Sequence, residues 1–338
     1  MKHPAPVVVV PNWNGIESLH DCLSSLEQQT LKPYIVVVDN GSVDGSVELI
    51  RSSFPNVVLL TESKNHGFAG GVNIGIKHAV EIEAEYVALF NNDAVADEHW
   101  LHELINVMDA SNEMGITTCK LVNSERVYLD TTGEYYSSWG LPFSRGRGEV
   151  VSAEYDNQTI IFGASGGASL YRVRMLQEIG LFDEDFFAYY EDVDLSFRAQ
   201  LAGWKVMYAP TAVAYHQIGA TSGKLKGFTT YQTMKNLPWV AWKNVPGRLL
   251  PKVIPRLTLS YLGFFVSAVL RGHGWYALKG ATVSVVLFPK KLGERFKIQR
   301  GRKVSTQYIA SILIWDLPPK ADNLRKLRAK WWRLLGKN

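Results

Sequence analysis

Short apolar runs separated by stretches of helical period organise the first half of the chain. Residues 7–13 are the first run and end in Asn14-Gly15, the pattern of a strand buried on both faces that stops at a turn. Ile16, Leu19, Cys22, Leu23 and Leu26 then recur at helical spacing. A second run at 34–38 closes in Asp39-Asn40-Gly41-Ser42, whose composition suits a turn and the N-cap of a following helix. A third at 57–60 leads into the glycine-rich stretch 65–75, and a fourth at 86–90 leads into Asn91-Asn92-Asp93. A helix near 97–110 and a strand near 116–122 continue the series. This alternation predicts an α/β domain with a mostly parallel central sheet and helices on both faces.

Ligands on such sheets bind outside the carboxyl ends of the strands. The polar clusters fall at those ends: Asn12 and Asn14, Asp39 and Ser42, then Asn65, Gly67, Phe68 and Asn73, and finally Asn91, Asn92 and Asp93. The glycines between 67 and 75 match neither the dinucleotide fingerprint nor the phosphate loop, which argues against a nicotinamide cofactor and against ATP. Asn91-Asn92-Asp93 suits a hard divalent cation that keeps several waters and shares a diphosphate with its substrate; a polar strand exit is the plainer reading of the same residues. The stretch 127–151, rich in Gly, Tyr, Thr and Arg without helical period, predicts a hairpin or a mobile loop able to cover the crevice. In 162–172, the small residues Gly166 and Gly167 let a second substrate approach the backbone.

Three carboxylates in four positions follow an aromatic run: Glu191, Asp192 and Asp194 after Phe186, Phe187, Tyr189 and Tyr190. Like charges this close raise one another's pKa, and an apolar wall makes a carboxylate a better base. The same residues also suit the first turn of a helix running to about Leu201, where negative charge complements the helix dipole and Asp194 can pair with Arg198. Gly203 ends that helix, strands are predicted at 205–208 and 213–216, and the latter finishes on His216.

Composition changes the picture in the second half. The chain has 338 residues, 46% hydrophobic and 12% aromatic, enough to bury a large core. Its two cysteines, Cys22 and Cys119, sit among apolar and small residues, which argues against a disulfide framework or zinc site and for a reducing cytosolic setting. The amino terminus lacks the apolar core of a signal peptide. The net charge of +4 hides a division: residues 1–220 carry 13 Lys+Arg against 29 Asp+Glu, and residues 221–338 carry 23 against 3. A catalytic domain at 1–220 and a helical, basic, membrane-associating domain at 221–338 are therefore expected.

Within the basic half, residues 257–270 are apolar and bounded by Arg256 and Arg271, short of the roughly 20 residues that span a bilayer. An amphipathic stretch at 324–335 carries Trp331 and Trp332. Helices lying on an anionic membrane surface account for both the charge and the aromatics, with a buried bundle or a homo-oligomer interface as the plainer readings. No nucleic-acid recognition motif is visible, so no nucleic-acid partner is expected.

The motifs, taken in order, resemble those of a family 2 glycosyltransferase of the GT-A fold, in the bacterial rhamnosyltransferase-like branch. They are Val-Pro-Asn-Trp-Asn-Gly at 10–15, Val-Asp-Asn-Gly-Ser at 38–42, Asn-His-Gly-Phe-Ala-Gly-Gly-Val-Asn at 65–73, Asn-Asn-Asp at 91–93 and Tyr-Tyr-Glu-Asp-Val-Asp-Leu at 189–195. The resemblance covers about residues 5–220. It implies a metal-dependent inverting transfer of a sugar from a nucleoside diphosphate donor, dTDP-rhamnose first and a UDP-hexose second. The implied acceptor is a lipid-linked saccharide in cell-envelope polysaccharide (O-antigen) assembly, at the inner face of the cytoplasmic membrane.

By the same resemblance Asp39 binds the nucleoside, with the first strand's end and the 65–73 loop around base and ribose. Asp93 holds Mg²⁺ or Mn²⁺ as the last Asp of the family's Asp-X-Asp motif, and His216, 24 positions after Asp192, is a second metal ligand. Asn91 stands where that motif has its first Asp, so an amide faces the ribose or an outer-shell water. Asp192 is the base, Glu191 orients the acceptor and Asp194 is held by Arg198. A nucleotidyltransferase is the rival enzyme, although Asn12 to Gly15 lacks the basic residue such a loop carries. An inactive sugar-binding or scaffolding module is the non-enzyme alternative.

Overall fold

The computed structural model describes residues 5–217 and 225–319, together with 321 and 325. The amphipathic stretch at 324–335, with Trp331 and Trp332, lies outside the described residues apart from position 325. The chain divides into two compact units, one made of residues 1–134 and 144–226, the other of 135–143 and 227–338.

The first unit opens with β1 (Val7–Asn12), α1 (Ile16–Glu27), β2 (Tyr34–Asp39), α2 (Ser46–Ser53), β3 (Val58–Thr61), α3 (Gly67–Glu81) and β4 (Tyr86–Phe90). β1 pairs in parallel with β2 and with β4, and β2 with β3. The buried Val8, Val10, Val37 and Ala88 pack with Leu19, Leu23 and Leu26 of α1 in one core layer. On the other face α3 lies so close to β1 that a Cβ at Gly75 would stand 2.4 Å from Val9 Cγ1. Only a glycine allows that approach.

After β5 (Ala94–Ala96), α4 (Trp100–Asp109) and β6 (Met114–Asn123), a stretch of short strands intervenes: β7 (Leu129–Thr131), β8 (Glu134–Tyr136), β9 (Pro142–Ser144) and β10 (Thr159–Ile161). The stretch 127–151 is thus partly ordered by pairing, β7 against β6 and β8 against β9. Then come β11 (Ala168–Arg172), α5 (Val173–Ile179), α6 (Glu191–Leu201) and β12 (Lys205–His216). β11 enters between β4 and β6 antiparallel to both, while β6 and β12 run parallel to each other. Strands β1, β2, β3, β4, β6 and β12 therefore all point the same way, and the sheet is mostly parallel.

β12 is one strand where the sequence predicts two. Its pairing with β6 slips between Ala209 and Val213, around Pro210, which has no N–H to donate.

Apart from residues 135–143, which carry most of β8 and β9, the described part of the second unit is helical: α7 (Phe228–Asn244), α8 (Leu250–Leu270), α9 (Gly274–Val286), α10 (Phe288–Arg300) and α11 (Thr306–Ile312). Trp239 Nε1 donates to Ser284 O at 3.1 Å, Tyr261 Oη to Met234 O at 2.6 Å, and Arg295 Nη1 to Val245 O at 2.8 Å, tying α7 to the helices that follow it. The buried Lys243 and Lys291 share Glu294, at 3.1 and 3.0 Å. α8 extends well before the apolar run at 257–270. With the turn that precedes it, Gly247–Leu270 is long and apolar enough to cross a membrane by length and composition alone, and no other helix among the described residues is.

Candidate active site

Parallel pairing brings the ends of β1, β2 and β4 side by side, and their polar residues bond to one another. Asn12 donates to Asp39 Oδ1 at 2.9 Å and Ser42 Oγ at 3.2 Å, and accepts from Asn92 Nδ2 at 2.7 Å. Ser42 N donates to Asp39 Oδ2 at 2.9 Å, and Asn14 joins Ser42 and Val43 at 2.9 Å each. Asp39 is buried at 1% exposure, and each of its oxygens accepts a bond, so the carboxylate stays fixed at the strand end. Asn65 accepts from Gly67 N at 2.7 Å, shaping the turn into α3.

Asn73, expected among the nucleotide-binding residues, makes its bonds to the segment before the carboxylates. Its amide nitrogen donates to Phe182 O at 2.8 Å and to Glu184 Oε1 at 3.0 Å, while its oxygen accepts from Phe182 N at 3.0 Å. With 2% exposure and both ends engaged, it ties α3 to the segment before the carboxylates.

That segment is strained. Phe187, Tyr189 and Tyr190 have φ of 64°, 69° and 72°, left-handed values that cost non-glycine residues free energy. Phe187 O accepts from Ala69 N at 3.1 Å, and a Cβ at Gly67 would stand 2.3 Å from that oxygen. Gly67, itself at φ 73°, lets the turn into α3 lie directly on the strained segment. From the other side Arg198 holds the approach: its guanidinium donates to Ile179 O, Gly180 O and Leu181 O at 2.8 to 2.9 Å and to Asp194 Oδ2 at 2.9 Å. Asp194 is fully buried.

Asp192 sits in the first turn of α6, partly buried, accepting from Gly166 N at 3.1 Å and from Val193 N at 2.8 Å. Burial pushes its pKa above the usual carboxylate range, and the two N–H groups oppose the rise without cancelling it. Glu191 is buried at 6% exposure, and with Asp192 it raises the pKa of the buried Tyr171 phenol beyond what burial alone does.

Beyond Gly166 the chain reaches the end of β4 directly. Gly167 O accepts from Asn91 N at 2.8 Å, and a Cβ on Gly167 would lie 3.2 Å from Asn91 Nδ2, one on Gly166 2.9 Å from the Phe68 ring. His216 closes this end: Nε2 lies 3.0 Å from Asp93 Oδ1 and 3.3 Å from Asn91 Nδ2, and Nδ1 lies 2.8 Å from Asp130 Oδ2. Burial alone would lower the imidazole pKa, but hydrogen bonds and charge from Asp130 and Asp93 raise it to about 9.

Two residues here carry no signal in the sequence pattern. Asp130, on β7, orients His216 and is itself paired with Arg147 at 3.3 Å. Glu134, on β8, accepts from Ser144 Oγ at 2.8 Å and Thr131 Oγ1 at 3.2 Å. Burial, then the charge of Asp192, pushes its pKa up to about 8, against those hydrogen bonds and Arg147. Glu134 therefore holds its proton near neutral pH and adds no second negative charge beside Asp192. An acidic residue inside a short strand of an irregular stretch is the only trace either one leaves in sequence.

A profile described as Glycosyltransferase like family 2 matches residues 4–233, most of the chain. The chain belongs to this glycosyltransferase family. Among its relatives, the low-salt glycan biosynthesis hexosyltransferase Agl10 of Haloferax volcanii is 23% identical over 84% of this chain and 85% of its own length. The N-acetylglucosaminyl-diphospho-decaprenol L-rhamnosyltransferase of Mycobacterium tuberculosis is 26% identical over 66% of this chain and 79% of its own. Two solved structures share the fold. GalNAc-T7 with UDP, GalNAc and Mn²⁺ superposes with a TM-score of 0.57 at 14% identity, covering 72% of this glycosyltransferase and 48% of that chain. The mannosyltransferase PcManGT of Pyrobaculum calidifontis, with GDP-Man and Mn²⁺, gives 0.51 at 15% identity over 89% and 86%. The fold is GT-A, the mixed α/β fold of those neighbours, with a helical region after it.

Proposed function

We propose that this glycosyltransferase transfers a sugar with inversion, from a nucleoside diphosphate donor to a lipid-linked saccharide, at the inner face of a membrane. The observation that carries the reading is the Gly166-Gly167 pair. One glycine donates to Asp192, and the other accepts from Asn91 beside Asp93 and His216, so a base and a candidate diphosphate site stand at the two ends of one small-residue step. Displacement of a nucleoside diphosphate needs both, because the leaving group gains charge while the acceptor hydroxyl loses a proton.

The residues present fit a divalent cation. Asp93 Oδ1 and His216 Nε2 converge at 3.0 Å, the Asn91 amide lies beside them, and Asp130 on Nδ1 is the outer partner that metal-bound imidazoles have. Mg²⁺ or Mn²⁺ bound there would neutralise charge developing on the diphosphate. Asp93 and Asp130 favour positive charge on the imidazole, a charge that a cation on Nε2 would supply instead.

The chain's own residues divide the remaining work. Asp39, Asn12 and Ser42 form the rigid wall for base and ribose, with Phe68 and the turn at Gly67 beside it. Asp192 takes the acceptor proton, its raised pKa supplying the driving force. The buried Glu134 stays protonated near neutral pH and so spares Asp192 a second negative neighbour. dTDP-rhamnose is the favoured donor, supported by the rhamnosyltransferase relative, with a UDP-hexose next, supported by the hexosyltransferase relative. Donor hydrolysis across a panel of nucleotide sugars, with Mn²⁺, Mg²⁺ or chelator, tests the reading. Metal-stimulated release from one donor is expected, and release from none would refute it.

A further inference from the structure

The membrane part of that reading can be given a specific surface. In α8, Val253, Leu257, Ser260 and Ala268 are buried, and at 100° per residue they share one side of the helix. Leu259, Leu262, Val266, Val269 and Leu270 fall on the opposite side and are exposed, Leu270 at 82%. α9 repeats the arrangement: Ala277, Gly280 and Ser284 are buried, while Trp275, Leu278, Val285 and Val286 are exposed, Trp275 at 70%. Only residues 271–273 separate the two helices. Soluble surfaces scatter single apolar side chains; two consecutive helices that each bury small residues and expose large ones are a different pattern.

The charge around this surface selects what covers it. Across residues 250–300 there are nine Lys and Arg and one acidic residue, Glu294, which is already engaged by Lys243 and Lys291. Lys252, Arg271, Lys279, Lys290, Lys297 and Arg300 are exposed. A second copy meeting this face would bring the same positive charge against it with almost no carboxylate to pair. An anionic bilayer supplies both an apolar interior and the opposite charge. The bilayer is met flat rather than crossed: the first turns of α8 carry Lys252 and Arg256, and Tyr261 and Ser260 bind backbone oxygens on its buried side, at 2.6 and 3.1 Å. Gly247–Leu270 would be long enough to cross by length and composition alone, but its uninterrupted apolar run of 14 residues rises only about 21 Å, short of a hydrocarbon core of about 30 Å, and one side of α8 is buried within its own unit.

We infer that the outward faces of α8 and α9 form a monotopic anchor, inserted into the interface of an anionic membrane with Leu262, Val266 and Val269 among the acyl chains. This rests on the proposed action at a membrane but not on the identity of the donor. The test is flotation of the full chain with phosphatidylcholine–phosphatidylglycerol vesicles and with phosphatidylcholine alone. An environment-sensitive thiol label at Val266→Cys reads insertion, because the native Cys22 and Cys119 are both buried. A label at Val43→Cys, 90% exposed in the other unit, is the control.

Expected are flotation with the anionic vesicles, a blue-shifted label at 266 quenched by brominated acyl chains, and none of this at 43. Leu262→Asp with Val266→Asp should cut the floated fraction by about tenfold or more. Wild-type protein should remain partly bound at about 1 M salt, where screening acts within about 3 Å. Flotation with an unchanged label at 266 would assign binding to another segment and overturn the inference, as would absence of flotation. A label buried without lipid in a concentration-dependent manner would overturn it in favour of a second copy. Nucleotide binding by the same variants, unchanged if the anchor is separate, distinguishes loss of the anchor from failure of the transferase reading.

Discussion

Replacing Asp192 with Asn separates stability from chemistry, because the two respond to the carboxylate in different ways. The carboxylate accepts one N–H on each oxygen, from Gly166 and Val193. An amide can accept only one of these and turns its NH₂ toward the other, so one donor is left facing a donor, at a cost of about 1–3 kcal/mol that does not depend on pH. The second contribution does depend on pH. Asp192 titrates above its unfolded value because burial disfavours its charge. The folded chain therefore binds the proton more tightly than the unfolded one, and wild-type stability is lost as pH rises from the unfolded carboxyl pKa through the folded one.

Each unit of that offset is worth about 1.4 kcal/mol, and asparagine, which does not titrate, escapes it. Wild type should lead in acid, with its lead shrinking or reversing toward neutral and alkaline pH. Urea melts at a series of pH values, taken with single-turnover transfer rates, read both effects. The rate should fall by about 10²–10⁴, the usual worth of a positioned base, while nucleotide affinity is kept. A stability gap that stays constant with pH would remove the raised pKa from the argument, and a variant transferring within tenfold of wild type would remove the base.

The other predictions follow from neighbouring residues. Arg198→Met strands the fully buried Asp194 charge and frees three carbonyls before the strained segment, so urea melts should show a loss of about 3–5 kcal/mol; a loss below about 1 would contradict the pairing. Glu134→Gln should abolish a decline in wild-type stability between the ordinary carboxyl range and pH about 8, since the folded state holds a proton there that the unfolded chain has released. Asp130→Asn should raise the Mn²⁺ concentration needed for donor hydrolysis by about 10–100-fold with little change at saturating metal, the behaviour of an outer partner on an imidazole ligand. Gly67→Ala, meeting Phe187 O at 2.3 Å from a left-handed backbone, should cost at least about 1–3 kcal/mol in the same melts.

Much of the polar cluster at the strand ends is legible from sequence because its physics is local. A buried parallel strand is a short apolar run, its polar end is where the run stops, and the sheet sets those ends next to one another; Asn12, Asp39 and Asn92 therefore meet at the ends of three strands. Asn73 is held by contacts that are not local. It stands within the same polar loop and motif as Asn65, but the helix turns it away to bond Phe182, 109 positions on. The Arg198 side chain is similar: its four-residue spacing from Asp194 marks a helical pair, yet nothing local foretells its grip on Ile179 O to Leu181 O.

The alternating α/β order, the polar strand ends, the family and the charge division between the halves can all be read from the residues in order, since each is written in period, composition or motif. Which carboxyls share a field depends on how the chain folds. Asp130 and Glu134 lie in short strands without period; pairings with β6 and with Gly163 bring them to His216 and Asp192, about 86 and 58 positions away in sequence. The raised pKa values of Asp192 and Glu134 belong to that arrangement, because desolvation and Coulomb interaction depend on distance and burial rather than on order along the chain. The outward face of α8 was settled in the same way. An apolar run reads alike whether it is buried or exposed, and only the packing of Val253, Leu257, Ser260 and Ala268 shows which side of the helix is left for something else to cover.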